Sequence, residues 1–579
     1  MKQSWTWWLG QRISASLVLI ALFYACGPNS TSSAQSSSPS SAGTGTQLLN
    51  SESQAWLRTT IASGNFADLR WPDFSDYRDP VKKFYELNSD SLTWVKGMNP
   101  TPQAQQLVDL LSQADHKGLS ADDYDGPRWK DRLAKLKRQA SEADALKFDI
   151  ALTVCAMRYI SDLHIGRVNP QHFAFAFNEE SKKYDLAEFL KEHIVNASDV
   201  SGSLAQVEPP YPGYRRALQA LQTYIELAKR DDGERLPAGK KTIAPGDTYF
   251  GVPRLTRLLR LVGDLPADAN VPMNQQIYVG QLVEAVKSFQ RRYGRDPNGR
   301  IDTQTLADLN VPLSRRVRQM QLTLERWRWL PDVPRRPLIV ANIPEFRLRA
   351  YDYDQDFKLA LTMKVVVGKA YGHHNTPVFS DTMEYVVFRP YWAVPFSITK
   401  GEMVPHLLRD PDYLAKKGFE VVDRKQNVVS SGTVTPEVLS QIKAGTLFVR
   451  QKPGPKDALG LVKFVFPNSY NVYMHDTPST EFFARSRRDF SHGCIRLEKP
   501  ADLAAWVLRD NPGWTPERIH SAMNGTAPQQ VNLAHPLPVF IVYGTVIVAE
   551  DGIVSFYDDI YGYDAILDRA LAKGYPYPR

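Results

Sequence analysis

The chain has 579 residues and a mass of 65.4 kDa, too long for one hydrophobic core at roughly 150 residues per domain. Hydrophobic residues make up 43%, charged residues 23%, and 40 prolines are present, which excludes a disordered, collagen-like or polytopic membrane protein and points to several turn-rich globular domains. The net charge of +7 falls to +5 without Lys2 and Arg12, and with no basic run or aromatic–basic motif it excludes nucleic acid as an expected partner.

In chain order, Lys2 and Arg12 precede an apolar run over 13–25 that ends in Ala25 before Cys26, so residues 1–26 read as an export signal. The run is shorter than the roughly 20 residues of a membrane span, although Trp5, Trp7 and Trp8 can anchor a longer interfacial segment. Phe23-Tyr24-Ala25-Cys26 resembles a lipoprotein cleavage box in which Phe and Tyr fit poorly. A cleaved signal, an uncleaved membrane tether and a lipid anchor on Cys26 therefore all stay open. Residues 27–51 carry no charge and are rich in Ser, a composition that cannot bury a core and reads as a disordered tether. A tether after an export signal places the working domains in the periplasm or cell envelope.

Residues 52–245 read as a helical scaffold, with Leu107, Leu110 and Leu111 ahead of a Gly118 stop and with Ile150, Val154, Met157 and Ile160 at helical spacing. Cys155, inside the second pattern, reads as a small core side chain. Asp162, His164 and Arg167 read as a solvated or salt-bridged helix end. In 246–312, Leu282, Ala285, Val286, Phe289 and Tyr293 share a helical face, Gly294 stops the helix, and Asp296 to Gly299 make a turn before a short helix at Thr303. The stretches 285–294 and 298–306 resemble the small three-helix peptidoglycan-binding domain, with Phe289, Gln290 and Tyr293 as its marker residues. From 313 to the end, alternating strands dominate, at 338–342, 347–351, 364–367, 385–389, 462–466 and 472–475. The tail strands 539–542, 545–549 and 553–557 are expected to return to the same sheet before a helix at 564–573. A long insertion over about 397–448 reads as a lid. The fold class is thus multidomain α+β: a helical scaffold, a small helical domain, and a mostly-β domain with an inserted lid.

One constellation carries the chemistry: Tyr473-Met474-His475-Asp476 and Ser491-His492-Gly493-Cys494-Ile495-Arg496. Strand alternation sends Val472 and Met474 to the core and presents Tyr473 and His475 at a polar surface, while Ile495 and Leu497 leave Cys494 and Arg496 on the opposite face. A free thiol titrates near 8.5, and an adjacent imidazole raises its thiolate fraction, so Cys494 is the candidate nucleophile and His475 its base. Gly493 lets the backbone approach closely, and the Gly493 and Cys494 amides can face an oxyanion. Ser491 and His492 can fix that loop. Arg496 can brace carbonyls, the favoured role, or receive a substrate carboxylate. Arg485, Arg487 and Arg488 are either a solvated loop or an anion-recognising one. His475, His492 and Cys494, with Asp476 near by, also have the residue types of a zinc site.

This signature resembles that of the L,D-transpeptidase (YkuD-like) catalytic domain. Arg326 to Pro331, Tyr391 to Pro395, Val449 to Pro455 and Met474 to Pro478 extend the similarity to the large periplasmic L,D-transpeptidases, which combine a scaffold, a peptidoglycan-binding module and a lidded catalytic domain. The resemblance implies a transferase of peptidoglycan biosynthesis, and so of cell-wall organisation and cell shape. Cys494 forms a thioester, D-alanine leaves a tetrapeptide donor stem, and an acceptor-stem amine closes a 3→3 cross-link, with no cofactor and no metal. Carbapenems are the implied inhibitors and other wall-synthesis enzymes the implied partners. Trp392, Tyr473, Asp476 and Arg485 are the candidate substrate contacts. Water as acceptor would give L,D-carboxypeptidase activity and a protein amine would give wall anchoring. A non-catalytic wall-binding protein is the reading that retention of both His475 and Cys494 opposes.

Overall fold

The computed structural model describes residues 49–577 apart from 139–140, 174, 179–181, 240, 273, 333–335, 355 and 372–373. The expected export signal, Cys26 and the tether up to residue 48 lie outside the described residues. The tether reading ends just short of 51, because the Asn50 carboxamide accepts the Ser53 N–H at 2.8 Å and starts a helix at Ser51. Among the described residues no helix is long and apolar enough to cross a membrane.

The scaffold is built around helix α1 (Glu142–Ile165), opened by a capping box between Ser141 and Asp144. Nearly every side chain of α1 is buried, so it is a central helix wrapped on all sides rather than an amphipathic surface one. Cys155 sits fully inside it, where burial pushes its thiol up. Of the two ends that its sequence allows, solvated or salt-bridged, α1 has the salt-bridged one, and it is buried. Asp162 accepts the Tyr124 hydroxyl at 2.8 Å, and Arg167 pairs through Nε with Glu325 at 3.1 Å, both carboxylates being fully buried.

Helices α2 (Pro212–Arg230), α3 (Gln281–Arg292) and α4 (Leu313–Trp329) carry the chain into the second half. Phe289 and Tyr293 stack at 3.9 Å between ring centroids, and with Gln290 they are at most 5% exposed. They form the module's core. Gln290 holds the following turn, donating to the Arg300 carbonyl at 2.8 Å and accepting the Gly299 N–H at 2.9 Å. Gln290→Ala is therefore expected to destabilise this module by about 1–3 kcal/mol, since it strands buried polar groups. Hydrogen exchange should show the loss first over 296–305.

The β-domain is a closed barrel. Its strands are β1 (Leu338–Asn342), β2 (Arg347–Asp354), β3 (Asp356–Gly368), β4 (Val378–Phe388), β5 (Val462–Val465), β6 (Met474–His475), β7 (Ile495–Leu497) and β8 (Gln529–Val542). They run β5-β6-β7-β3-β2-β1-β8-β4, and β4 pairs back with β5. Only β6–β7 and β1–β8 are parallel within this ring. Closure removes the exposed edges that an open sheet would present. The remaining tail strands do not join it: Val546–Val548 and Val554–Phe556 form a separate hairpin, which corrects the expectation that the tail returns to one sheet.

The modules are joined by more than linkers. The scaffold strand Phe175–Ala176 adds in parallel to β4, Arg295 forms an ion pair with Asp558 at 2.6 Å, and the Tyr577 hydroxyl donates to Asp123 of the scaffold at 2.7 Å. The α2–α4 helices and the barrel share one apolar core. The insertion has its own core, including Leu407, Phe419, Val421, Ile442 and Val449, under a four-stranded sheet. It is wider than 397–448, because strands Trp392–Ala393 and Phe448–Gln451 are its root.

Candidate active site

The site sits where β6 and β7 run side by side. Met474 pairs with Ile495 and His475 with Arg496, so two segments far apart in sequence are locked in one register, and Met474 and Ile495 anchor both in the core. His475 is only 4% exposed, which corrects its expected presentation at a polar surface. Its Nδ1 lies 2.5 Å from the Asp476 carbonyl oxygen. A carbonyl only accepts, so Nδ1 carries the proton and Nε2 keeps its lone pair. Burial drives the imidazole down to about 3, helped by the Arg496 and Lys463 charges and opposed by the Asp476 carbonyl. His475 is therefore neutral at physiological pH and available as a proton acceptor.

Cys494 is partly exposed, and its Sγ–H points to the Asn471 carbonyl at 3.9 Å. Burial pushes its thiol up, while the Tyr473 N–H, the Lys463 charge, the Tyr473 hydroxyl and Arg496 pull it back. The preceding loop is braced from within. Ser491 Oγ donates to the Cys494 carbonyl at 2.6 Å and accepts the Gly493 N–H at 3.1 Å. Thr376 Oγ1 donates to the Gly493 carbonyl at 2.7 Å. Gly493 has φ +121°, a conformation that L side chains rarely adopt. Because its N–H is held by Ser491, Gly493 does not offer the oxyanion donor expected of it. The Cys494 N–H makes no hydrogen bond to a described residue and is the donor left over.

His492 turns away from the thiol: its Nε2 lies 2.6 Å from Glu402 of the insertion, and its ring packs edge-on to His374. Among the described residues no three His, Cys, Asp or Glu side chains converge as a ligand set. Asp476 is engaged by the backbone. Its two carboxylate oxygens accept the Leu461 and Thr477 N–H groups at 2.8 and 2.7 Å, and Gly460 leaves it room, since a Cβ there would stand 2.4 Å from Oδ2. Asp476 thus shapes the turn behind His475.

Arg496 does not brace the loop as favoured above. It makes no hydrogen bond or ion pair to a described residue, and its Nε is buried without a partner. Of the three arginines between base and thiol, Arg487 pairs with Asp489 at 2.7 Å and Arg488 donates to the Val365 and Phe346 carbonyls. Arg485 is exposed and lies over the Phe482 and Phe490 rings. Trp392, at the root of the insertion, reaches the Tyr473 hydroxyl, which also reaches Cys494. Sequence reading missed Lys463, Glu402 and Thr376. Lys463 is simply the outward residue between buried Val462 and Phe464, and alternation alone gives no reason to single it out.

A partly exposed thiol thus precedes β7, which pairs with the strand carrying a buried, neutral imidazole, on a closed barrel with a rooted insertion. Three family models match the chain: "L,D-transpeptidase catalytic domain" over 336–534, "Putative peptidoglycan binding domain" over 252–309 and "Scaffold domain" over 79–221. The chain thus carries an L,D-transpeptidase catalytic domain together with peptidoglycan-binding and scaffold domains. A protein of Haemophilus influenzae named "Putative L,D-transpeptidase" is 31% identical over 252 residues, which cover 44% of this chain and 49% of that protein. The chain spans about half the length of this curated relative. Among solved structures, an L,D-transpeptidase from Xylanimonas cellulosilytica is 14% identical, covering 53% of this chain and all of that one, with a TM-score of 0.16. A fused zinc-dependent amidase/peptidase with a peptidoglycan-binding domain, from Clostridium acetobutylicum, is 12% identical, covering 52% and 99%, with a TM-score of 0.15. At such TM-scores neither likeness bears on the site.

Proposed function

We propose that the chain is a periplasmic cysteine L,D-transpeptidase that forms 3→3 cross-links in peptidoglycan. The observation that carries this reading is the placing of Cys494 directly before β7, the strand that pairs with β6, where His475 has its tautomer fixed by the Asp476 carbonyl. His475 Nε2 takes the thiol proton as Sγ attacks the carbonyl between the L-centre of diaminopimelate and the terminal D-alanine of a tetrapeptide stem. The developing oxyanion faces the Cys494 N–H. The carbon–nitrogen bond then breaks, His475 returns the proton to the departing amine, D-alanine leaves and a thioester remains. The side-chain amine of an acceptor stem attacks this thioester, giving its proton to His475, and the new amide restores the thiol. One amide replaces another, so no external energy source is needed.

The unpartnered Arg496 guanidinium suits the terminal carboxylate of the donor stem, which lies one residue beyond the attacked carbonyl. The peptidoglycan-binding domain would hold the enzyme on the wall, and an N-terminal signal or tether would deliver it there. The test is incubation with purified disaccharide-tetrapeptide followed by mass spectrometry. The expected product is a dimer lighter than two substrates by one D-alanine, with the bridge located between two diaminopimelate residues by fragmentation. Release of D-alanine without a dimer would make water the acceptor, and neither product would overturn the reading.

A further inference from the structure

Lys463 is not part of the signature, yet it stands at the centre of the site. On β5 it pairs directly with His475, and its ammonium lies 3.8 Å from the centroid of the Tyr473 ring, whose hydroxyl reaches Cys494. Apart from that ring it has no hydrogen bond or ion pair to any described residue. An ammonium withdrawn from water without a carboxylate is costly, and the site must return something for it.

We propose that Lys463 is a positioning residue whose charge, acting across the Tyr473 ring, stabilises the anion that develops on Cys494 Sγ.

In many cysteine enzymes a protonated histidine supports the thiolate. In the resting site His475, buried between two cations, is neutral and supplies no such charge. The thiol and the ammonium are each disfavoured in their charged forms by burial, and each favours the charged form of the other. The other groups around them do not replace Lys463. Arg496, on β7, also pulls the thiol down but is shared with Glu481. Tyr473 contributes its N–H and hydroxyl, and itself faces Trp392 and Asp457. His492 is engaged by Glu402. With substrate bound, the thiol proton passes to His475 Nε2 and the negative charge on sulfur is then held by Lys463.

The inference rests on Cys494 as the nucleophile of the proposed reaction, but its test needs no peptidoglycan. The rate at which iodoacetamide alkylates Cys494 in the full chain is measured against pH, with the modified peptide quantified by mass spectrometry so that Cys26 and Cys155 do not contribute. In the wild type the rate is expected to go on rising above pH 9, because burial raises the thiol and thiolate accumulates only as pH climbs. Lys463→Met and Lys463→Gln are each expected to move the profile upward by about one pH unit, lowering the rate at pH 8 about tenfold. Lys463→Arg is expected to restore most of it. Circular dichroism melts identify which neutral variant is folded and readable, and the arginine variant reads the charge dependence independently of both. A folded neutral variant with the wild-type profile, or an arginine variant as slow as a neutral one, overturns the proposal while leaving transpeptidation standing. A shifted profile in a chain that makes no cross-links upholds it and removes the reading of the reaction instead.

Discussion

Cys494→Ala is expected to abolish covalent capture of a carbapenem and to lower cross-linking by on the order of a thousandfold or more, since no other group of the site can carry the acyl chain. Intact-mass spectrometry provides the measurement: the wild type gains one inhibitor mass and the variant gains none. Retention on isolated wall sacculi is expected to be unchanged, because the substitution removes one sulfur from a loop braced by Ser491 and Thr376 rather than by the thiol. An adduct that persists in the variant would reassign the nucleophile. Cys155 is a poor substitute, being fully buried in α1.

The second large effect lies far from the chemistry. Glu325 on α4 is fully buried, accepts the Arg167 Nε–H at 3.1 Å, and lies 3.6 Å from Arg328. Burial alone would raise its carboxyl, yet Arg167 and Arg328 hold it below the usual range. Its contribution is therefore present at neutral pH and lost on acidification through the carboxylate range. Glu325→Ala leaves two buried guanidinium groups and the Arg167 N–H without their acceptor, and is expected to cost about 3–5 kcal/mol. Urea unfolding should show this as a lower midpoint, and hydrogen exchange should show lost protection around 160–168. An unchanged midpoint would mean that the scaffold is held to α4 by its apolar contacts alone. The same joints bear on any deletion of the wall-binding module. Arg295 and Arg292 of that module reach Asp558 and the Val554 carbonyl, so excising it disturbs the catalytic half as well.

The proposed reacting pair could be picked out in the sequence because its residues are compressed into short segments. Ser491, His492, Gly493 and Cys494 are neighbours in the chain, and period-two alternation anchors Met474 and Ile495 inward. The alternation misplaced His475, because both residues of its short strand are buried, so burial there does not follow the period of two.

By itself the sequence determined the order of the modules, the helical and strand-rich halves, and the choice of candidate thiol and base, since each depends on local periodicity or on residues a few positions apart. Only the tertiary structure decided that the sheet closes into a barrel, that Gly493 gives its amide to Ser491, that Asp476 serves a turn, and that Arg496 and Lys463 have no ion pair among the described residues. The physical reason is the same in each case. Whether a donor is already satisfied, or a charge already paired, depends on groups that pairing and burial bring from distant parts of the chain, and no local pattern records them.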